Sequence, residues 1–161
     1  MPNAAIPENM QKYENYKEQM NRLKKAMANA FYLEALFIEY AIMEDRAEAI
    51  LRYEGNEINA KNGFVSIDRK LNKIIKIAEQ KKSLPNRYFS DDLIARIAAW
   101  KEERNRLIHA LMKQSLTTEE LHGLAESGQT LTRELCNRAN NYKRAVARRC
   151  NKEIKKTEEL K

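Results

Sequence analysis

The chain has 161 residues, of which 33% are charged, and a net charge of +7. A chain of this size buries roughly 70% of the surface it exposes when unfolded, so a metal- or disulfide-stapled minidomain is excluded. Only four Gly and three Pro interrupt it, and the stretches between them are rich in Ala, Leu, Glu, Lys and Arg, which favour helices. We therefore expect an all-α fold in a single domain over residues 1–161.

The first predicted helix covers residues 8–54, which contain neither Gly nor Pro. Apolar residues recur along it at helical spacing, beginning at Met20, Leu23 and Met27. A single helix of this length would measure about 70 Å, which is long for one domain. We therefore expect a kink or break near residues 28–30, and a central position in the fold for the apolar segment 31–50.

Three more helices are predicted after a loop at residues 54–63. Ser66 and Ser90 can cap the second and third helices, and Thr117 with Glu120 matches the capping box of a fourth. The fourth helix has a site for a bend at Gly128 and a charged tail, residues 151–161, that we expect to fray. Short connections between the helices favour an antiparallel four-helix bundle whose long N-terminal helix carries the kink.

Positive charge is concentrated in the middle of the chain. Residues 61–116 carry a net charge of +7, whereas residues 1–60 carry −3 and residues 117–161 carry +3. A basic surface favours polyanions such as RNA or DNA. A solvated, lysine-rich face without a partner is the alternative interpretation.

The sequence gives no indication of a membrane or an oxidising compartment. No apolar run approaches the roughly 20 residues that span a bilayer, and residues 1–7 lack the pattern of a signal peptide. Cys136 and Cys150 lie four turns apart on one predicted helix, where they cannot form a bridge. We expect a cytoplasmic protein with no membrane contact.

Metal and cofactor sites lack their usual residues. Two histidines and two distant cysteines cannot make a standard zinc site. The first helix carries several glutamates, but the other helices lack the pair of Glu-x-x-His motifs that a di-metal bundle requires. Glycine-rich phosphate loops and serine-hydrolase elbows are also missing. We therefore expect no metal and no cofactor.

The one chemically suggestive element is the run from Arg104 to His109. Histidine transfers protons near neutral pH, and the planar guanidinium of arginine binds phosphate. Asn105 shares a helix face with His109 and can orient its ring or hold a phosphate oxygen. These groups can cleave RNA without metal, with His109 as acid or base and Arg104 on the phosphate. The structural alternative is a surface histidine and an arginine paired with a glutamate of helix 8–54.

The spacing within this run has a geometric consequence. Five residues turn an ideal helix by about 500°, so Arg104 and His109 point about 140° apart. Arg104 falls along the apolar stripe of its helix, close to the expected core. A site that uses both residues is therefore more easily completed by a second copy of the chain than within one copy.

The run Arg104-Asn105-x-x-x-His109 resembles the R-x4–6-H motif of HEPN domains, in the R-N-x-x-x-H form of their ribonuclease members. In helix order and size, the resemblance covers residues 25–150. It implies a metal-independent endoribonuclease that acts on RNA as a homodimer, in a toxin–antitoxin or phage-defence system, with an antitoxin or operon partner. It assigns catalysis to Arg104, Asn105 and His109. An acidic residue of an earlier helix supports some members, and the candidates are Glu44, Asp45 and Glu48.

One departure and one alternative accompany the resemblance. A toxin subgroup has R-x4-H-x-Y, whereas this chain has Leu111 at the tyrosine position, so control through that tyrosine is not expected. Some HEPN domains have lost catalysis. A non-catalytic RNA-binding or protein-assembly module is therefore the alternative function, and a purely structural helical protein is the third.

Overall fold

The computed structural model describes residues 8–53, 55 and 65–159, and these contain six helices and no strand. The all-α prediction is therefore confirmed. Apart from Gly55, the loop predicted at residues 54–63 lies outside the described residues. The helices are α1 (Glu8–Ala28), α2 (Tyr32–Tyr53), α3 (Ile67–Ala78), α4 (Leu84–Phe89), α5 (Leu93–Ala110) and α6 (Thr118–Glu159).

A tight reversal centred on Ala30 separates α1 from α2. Ala30 has a φ of 58°, and the N–H of the next residue, Phe31, donates to the carbonyl oxygen of Ala26 at 2.8 Å. The N–H of Ala30 donates to the carbonyl oxygen of Met27 at 3.4 Å. This pair of bonds is a Schellman motif, which ends a helix through a left-handed residue. The interruption expected at residues 28–30 is thus a chain reversal rather than a kink.

Two ion pairs give the direction of α1 against α2. Lys12 pairs with Asp45 and Arg22 pairs with Glu34, both at 2.8 Å. The residue nearer the start of α1 pairs with the residue further along α2, so the two helices run antiparallel. The segment expected to be one long N-terminal helix is therefore a helical hairpin.

The most extensive helix contact is a parallel one between α2 and α6. Ring centroids lie 5.0 Å apart for Tyr32 and His122, and 6.3 Å apart for Tyr53 and Tyr142. The partner on α6 follows by 90 positions in the first pair and by 89 in the second. Because the residue numbers increase together along both helices, with a nearly constant offset, α2 and α6 run in the same direction.

Helix α5 runs antiparallel to α6. Arg96 pairs with Glu134 at 3.0 Å, and the indole N–H of Trp100 donates to the carbonyl oxygen of Leu124 at 3.0 Å. In a simple antiparallel four-helix bundle the first and last long helices would be antiparallel. The four long helices α1, α2, α5 and α6 alternate in direction along the chain, so α2 and α6, the second and fourth of them, run parallel.

Two predicted caps are confirmed. The Ser66 hydroxyl accepts from the N–H of Arg69 at 3.4 Å at the start of α3. At the start of α6, the N–H of Thr117 donates to the Glu120 carboxylate at 2.8 Å, and the N–H of Glu120 donates to the Thr117 hydroxyl at 3.1 Å. This reciprocal pair is the capping box read from the sequence.

The cap predicted at Ser90 is wrong, because Ser90 closes the short helix α4 and Asp92 begins α5. Sequence analysis missed α4. The Ser83 hydroxyl caps it by accepting from the N–H of Asn86 at 3.1 Å, and the Asn86 amide donates to the carbonyl oxygen of Ala78 at 2.7 Å. One asparagine therefore joins the end of α3 to the start of α4.

Helix α6 runs without interruption from Thr118 to Glu159. At about 1.5 Å per residue its 42 residues measure about 63 Å. It passes through Gly128, where a bend was expected, and it includes most of the tail that was expected to fray. The core lies between this helix, α2, α3 and α5, and its largest fully buried side chains include Leu36, Met43, Ile50, Leu71, Leu93, Ile97 and Tyr142.

Several large apolar residues, two of them within the segment 31–50 that was expected to be central, lie at the surface. Phe31 is 60% exposed, Phe37 is 57% exposed and Met112 is 96% exposed. Phe31 immediately precedes α2, and Phe37 lies in the second turn of α2. Met112 follows the end of α5. The apolar segment 31–50 is therefore central over only part of its circumference.

Candidate active site

Arg104 lies in the second turn of α5 from its C-terminal end and is only 9% exposed. Its guanidinium carbon lies 4.8 Å from the ring centroid of Phe37 and 4.6 Å from that of Tyr40. Both rings project from α2, three residues apart, which places them side by side on its surface. We call Phe37 and Tyr40 the aromatic clamp. Cation–π attraction holds the guanidinium there.

The guanidinium of Arg104 has no carboxylate partner among the residues described. One nitrogen, Nη1, donates to Oδ1 of Asn105 at 3.1 Å, and the buried Nε has no hydrogen-bond partner. Burial lowers the pKa of Arg104, although an arginine remains charged at neutral pH. The structural alternative predicted that Arg104 pairs with a glutamate of helix 8–54. Arg104 does contact that segment, but through the aromatic rings of Phe37 and Tyr40 and not through a glutamate.

His109 lies in the last turn of α5 and is exposed. Arg104 is buried against α2, so the two side chains leave α5 on different faces, as the 140° offset predicted. Asn105 is half-buried and bonds to Arg104. Within the described part of the chain, no hydrogen bond joins Asn105 to His109. A single chain thus presents Arg104 with Asn105 on one side of α5 and His109 on another.

The three acidic candidates of α2 have other partners. Glu44 and Glu48 pair with Nζ of Lys70, at 3.1 and 2.9 Å. The hydrogen bond from Lys70 lowers the pKa of Glu48. In the described residues neither carboxylate forms a hydrogen bond to Arg104 or His109. Both instead fix α2 to α3.

Asp45 faces α1 rather than the candidate site. It pairs with Lys12 at 2.8 Å and with its neighbour Arg46. Burial opposes the ionisation of Asp45, but hydrogen bonds from the two cations outweigh it, and the pKa is lowered. Among the described residues, Asp45 therefore pairs with Lys12 and Arg46 and has no ion pair with Arg104 or His109.

Glu44 is the acidic candidate next to the aromatic clamp. It follows Tyr40 by one helical turn, and its charge acts on the Tyr40 phenol. Burial raises the pKa of Tyr40, and Glu44 raises it further, so the phenol keeps its proton at neutral pH. Tyr40 thus provides a neutral hydroxyl donor next to the guanidinium of Arg104.

The aromatic clamp was not predicted, because Phe37 and Tyr40 match the apolar stripe of a core helix. The one sequence feature that pointed to such a contact was the position of Arg104 on the apolar stripe of α5. A charged residue there needs a partner that tolerates burial, and an aromatic pair three residues apart supplies one.

The described residues provide no metal centre and no membrane helix. No three His, Cys, Asp or Glu side chains among them are grouped so that they could hold an ion. None of the helices described has the length and apolar character needed to cross a bilayer. Cys136 is buried, Cys150 is exposed, and both are free thiols.

Comparison with protein-family models, with curated proteins and with solved structures found no match to this chain. A function for this chain must therefore be inferred from the site alone.

Proposed function

We propose that this protein is a metal-independent endoribonuclease of HEPN type that acts on RNA as a homodimer. The observation that carries the proposal is the buried guanidinium of Arg104, which has no carboxylate partner among the described residues. A buried charge without a counter-ion is costly. A phosphate group of RNA would supply the missing anion through charge-assisted hydrogen bonds.

The residues of the run divide the chemistry between them. His109 removes the proton from the RNA 2′-hydroxyl, or protonates the 5′-oxygen as it leaves, when the 2′-oxygen attacks phosphorus. Arg104 stabilises the negative charge that builds up on the phosphoryl oxygens. Asn105 holds the guanidinium plane through its 3.1 Å hydrogen bond. No step requires a metal or a cofactor.

A second copy of the chain completes the site. Because Arg104 and His109 leave α5 on different faces, one copy does not direct both at the same phosphate. Two exposed apolar side chains flank the run: Phe37, 57% exposed in the aromatic clamp, and Met112, 96% exposed, three residues after His109. Apolar surface of this kind favours association. The homodimer would cover it and bring two runs together.

The biological setting is part of the same proposal. The HEPN resemblance points to a toxin or phage-defence ribonuclease in the cytoplasm, restrained by an antitoxin or an operon partner.

One observation favours the non-catalytic alternative. Arg104 is only 9% exposed, so in a single chain its guanidinium must leave the aromatic clamp, or the clamp must open, before a phosphate can bind. In an RNA-binding or assembly module, Arg104 would stay in the clamp and His109 would be dispensable.

Incubation of the protein with RNA in EDTA distinguishes the two functions. We expect the wild type to cleave, and His109→Ala to cleave at least about 100-fold more slowly, which is the usual contribution of one acid–base group. His122→Ala is the matched control, since His122 is the other histidine, is exposed, and has a ring contact with Tyr32 on α2. Inactivity of the wild type, or equal activity of His109→Ala, would support the non-catalytic module.

A further inference from the structure

A basic groove lies between α4 and the C-terminal half of α6, with a volume of about 450 Å³. Among the residues that the structure describes, five cationic side chains line it and one carboxylate, that of Glu153. The cations are Arg87 from α4 and Arg148, Arg149, Lys152 and Lys156 from α6. We call this the α4–α6 groove.

Most of the positive charge of the α4–α6 groove has no ion-pair partner among the residues that the structure describes. Among the side chains that the structure describes, Arg87, Arg148, Lys152 and Lys156 form no ion pair, and all four are exposed. The adjoining groove along α6 is different. There Arg138 pairs with Glu134 at 2.8 Å and also with Asp91. Arg138 is thus balanced by carboxylates, whereas four of the five cations of the α4–α6 groove have no ion-pair partner among the described side chains.

The cations of α6 form a regular row. Arg148, Lys152 and Lys156 are four residues apart, so they lie on one face of the helix at steps of about 6 Å. Beneath the row, the groove is lined by the apolar or aromatic side chains of Leu84 and Tyr88. The Tyr88 ring is held by an edge contact with Tyr142, at 5.6 Å between centroids. The groove therefore combines a cationic rim with an apolar floor.

We propose that the α4–α6 groove binds single-stranded nucleic acid, with phosphates along the cationic row and a base against the floor. Proteins that hold single strands without sequence preference combine these two features. A duplex keeps its bases paired and stacked, so it would contact the rim but leave the floor unused. The basic charge favours an anionic backbone, and the exposed arginine and lysine side chains match a run of phosphates.

This groove is separate from the candidate active site. Trp100, one turn before Arg104, contacts α6 at Leu124. Arg148 lies 24 residues further along α6, a distance of about 36 Å. The proposal therefore does not depend on cleavage at Arg104 and His109, and it holds for a catalytic or a non-catalytic protein.

Fluorescence anisotropy with labelled single strands of about 12 nucleotides tests the proposal. The probes are an RNA, a DNA of the same sequence, and the RNA paired with its complement. The DNA lacks the 2′-hydroxyl and is not a substrate for the proposed cleavage, so binding is measured independently of it. The groove variant is Arg148→Gln/Lys152→Gln/Lys156→Gln. The matched control is Lys17→Gln/Lys24→Gln/Lys25→Gln on α1, which removes the same charge from exposed positions.

We expect the groove variant to bind both single strands at least about 10-fold more weakly at low salt. The dependence of log K on log salt should also become shallower by about 2, since each phosphate contact with a single strand contributes about 0.7. The control variant should bind within about twofold of the wild type, because its lysines lie on another helix. Circular dichroism confirms that both variants keep their helices.

Three results would overturn the proposal: equal losses in the groove and control variants, tighter binding of the duplex than of the single strands, or binding to anionic vesicles without binding to the oligonucleotides. The proposed ribonuclease fails separately. Loss of cleavage in His109→Ala with unchanged DNA binding separates the two sites, and so does a wild type that binds DNA but does not cleave RNA.

Discussion

The carboxyl group of Glu39 on α2 lies against the backbone of Gly128 on α6, leaving no room for a side chain at position 128. A β-carbon there would overlap the carboxyl and would lie 2.7 Å from the ring of Trp100. Glu39 is 0% exposed, and neither of its oxygens has a hydrogen-bond partner in the described part of the chain. Gly128 therefore lets α2, α5 and α6 meet at one point.

Gly128→Ala should lower the free energy of unfolding by about 2 kcal/mol. Overpacking a core by one methyl group costs about 1–3 kcal/mol, and the gain in helix propensity offsets up to about 1 kcal/mol of this. Urea denaturation measures the difference. Gly123→Ala is the control, because nothing lies within 4 Å of a β-carbon there. It should raise stability by about 0.5–1 kcal/mol. Equal effects at the two positions would contradict the close contact.

Glu39 should make the protein less stable as pH rises. Burial raises its pKa from 4.5 to about 9, so between these values the folded state holds a proton that the unfolded state releases. Stability is then fully present below pH 4.5 and is lost as pH rises towards 9, by up to about 1.4 kcal/mol for each pH unit. Urea denaturation from pH 5 to 9 should show this fall in the wild type and a smaller fall in Glu39→Gln. Parallel curves for the two proteins would show that Glu39 ionises normally.

Arg104→Met should leave the free energy of unfolding unchanged, or raise it by about 1 kcal/mol, while it abolishes RNA cleavage. Methionine keeps an apolar stem and a polarisable sulfur between the rings of the aromatic clamp, and it removes a buried charge that has no counter-ion. Chemical denaturation and the cleavage assay are run on the same preparation.

Lys101→Met is the matched control for this change. Lys101 is also buried, but it pairs with Asp68 and, at 2.6 Å, with Glu102. Its loss should cost about 1 kcal/mol, since two carboxylates lose their partner. If Arg104→Met instead costs more than about 2 kcal/mol, the arginine is a structural residue of the clamp, and the functional argument fails.

The parts of the fold that local signals determine were predictable from the sequence. The capping box at Thr117 and the cap at Ser66 each require only residues three positions apart. The break after Ala28 was expected because a helix of residues 8–54 would be too long for the domain. Its form was not expected, since a left-handed alanine at position 30 has no compositional signal comparable to glycine.

Features that depend on contacts between distant residues were not predictable. The parallel direction of α2 and α6 depends on the path of the chain between them, through α3, α4 and α5, which no local signal determines. Gly128 suggested a bend, but its function is to admit Glu39, a residue 89 positions earlier. The candidate site shows the same division. The spacing of Arg104 and His109 predicted that their side chains leave α5 on different faces. The aromatic clamp was not predictable, because it depends on the contact of Arg104 with two rings of α2, more than 60 positions earlier in the chain.

The most direct test of the central claim is to mix two inactive variants, Arg104→Ala and His109→Ala, and to measure RNA cleavage in EDTA. If each site takes Arg104 from one copy and His109 from the other, every mixed dimer has one intact site. About half of the dimers are mixed, so the mixture should recover about one quarter of the wild-type activity. A wild type that cleaves RNA, together with a mixture as inactive as its two components, would contradict a site shared between two chains.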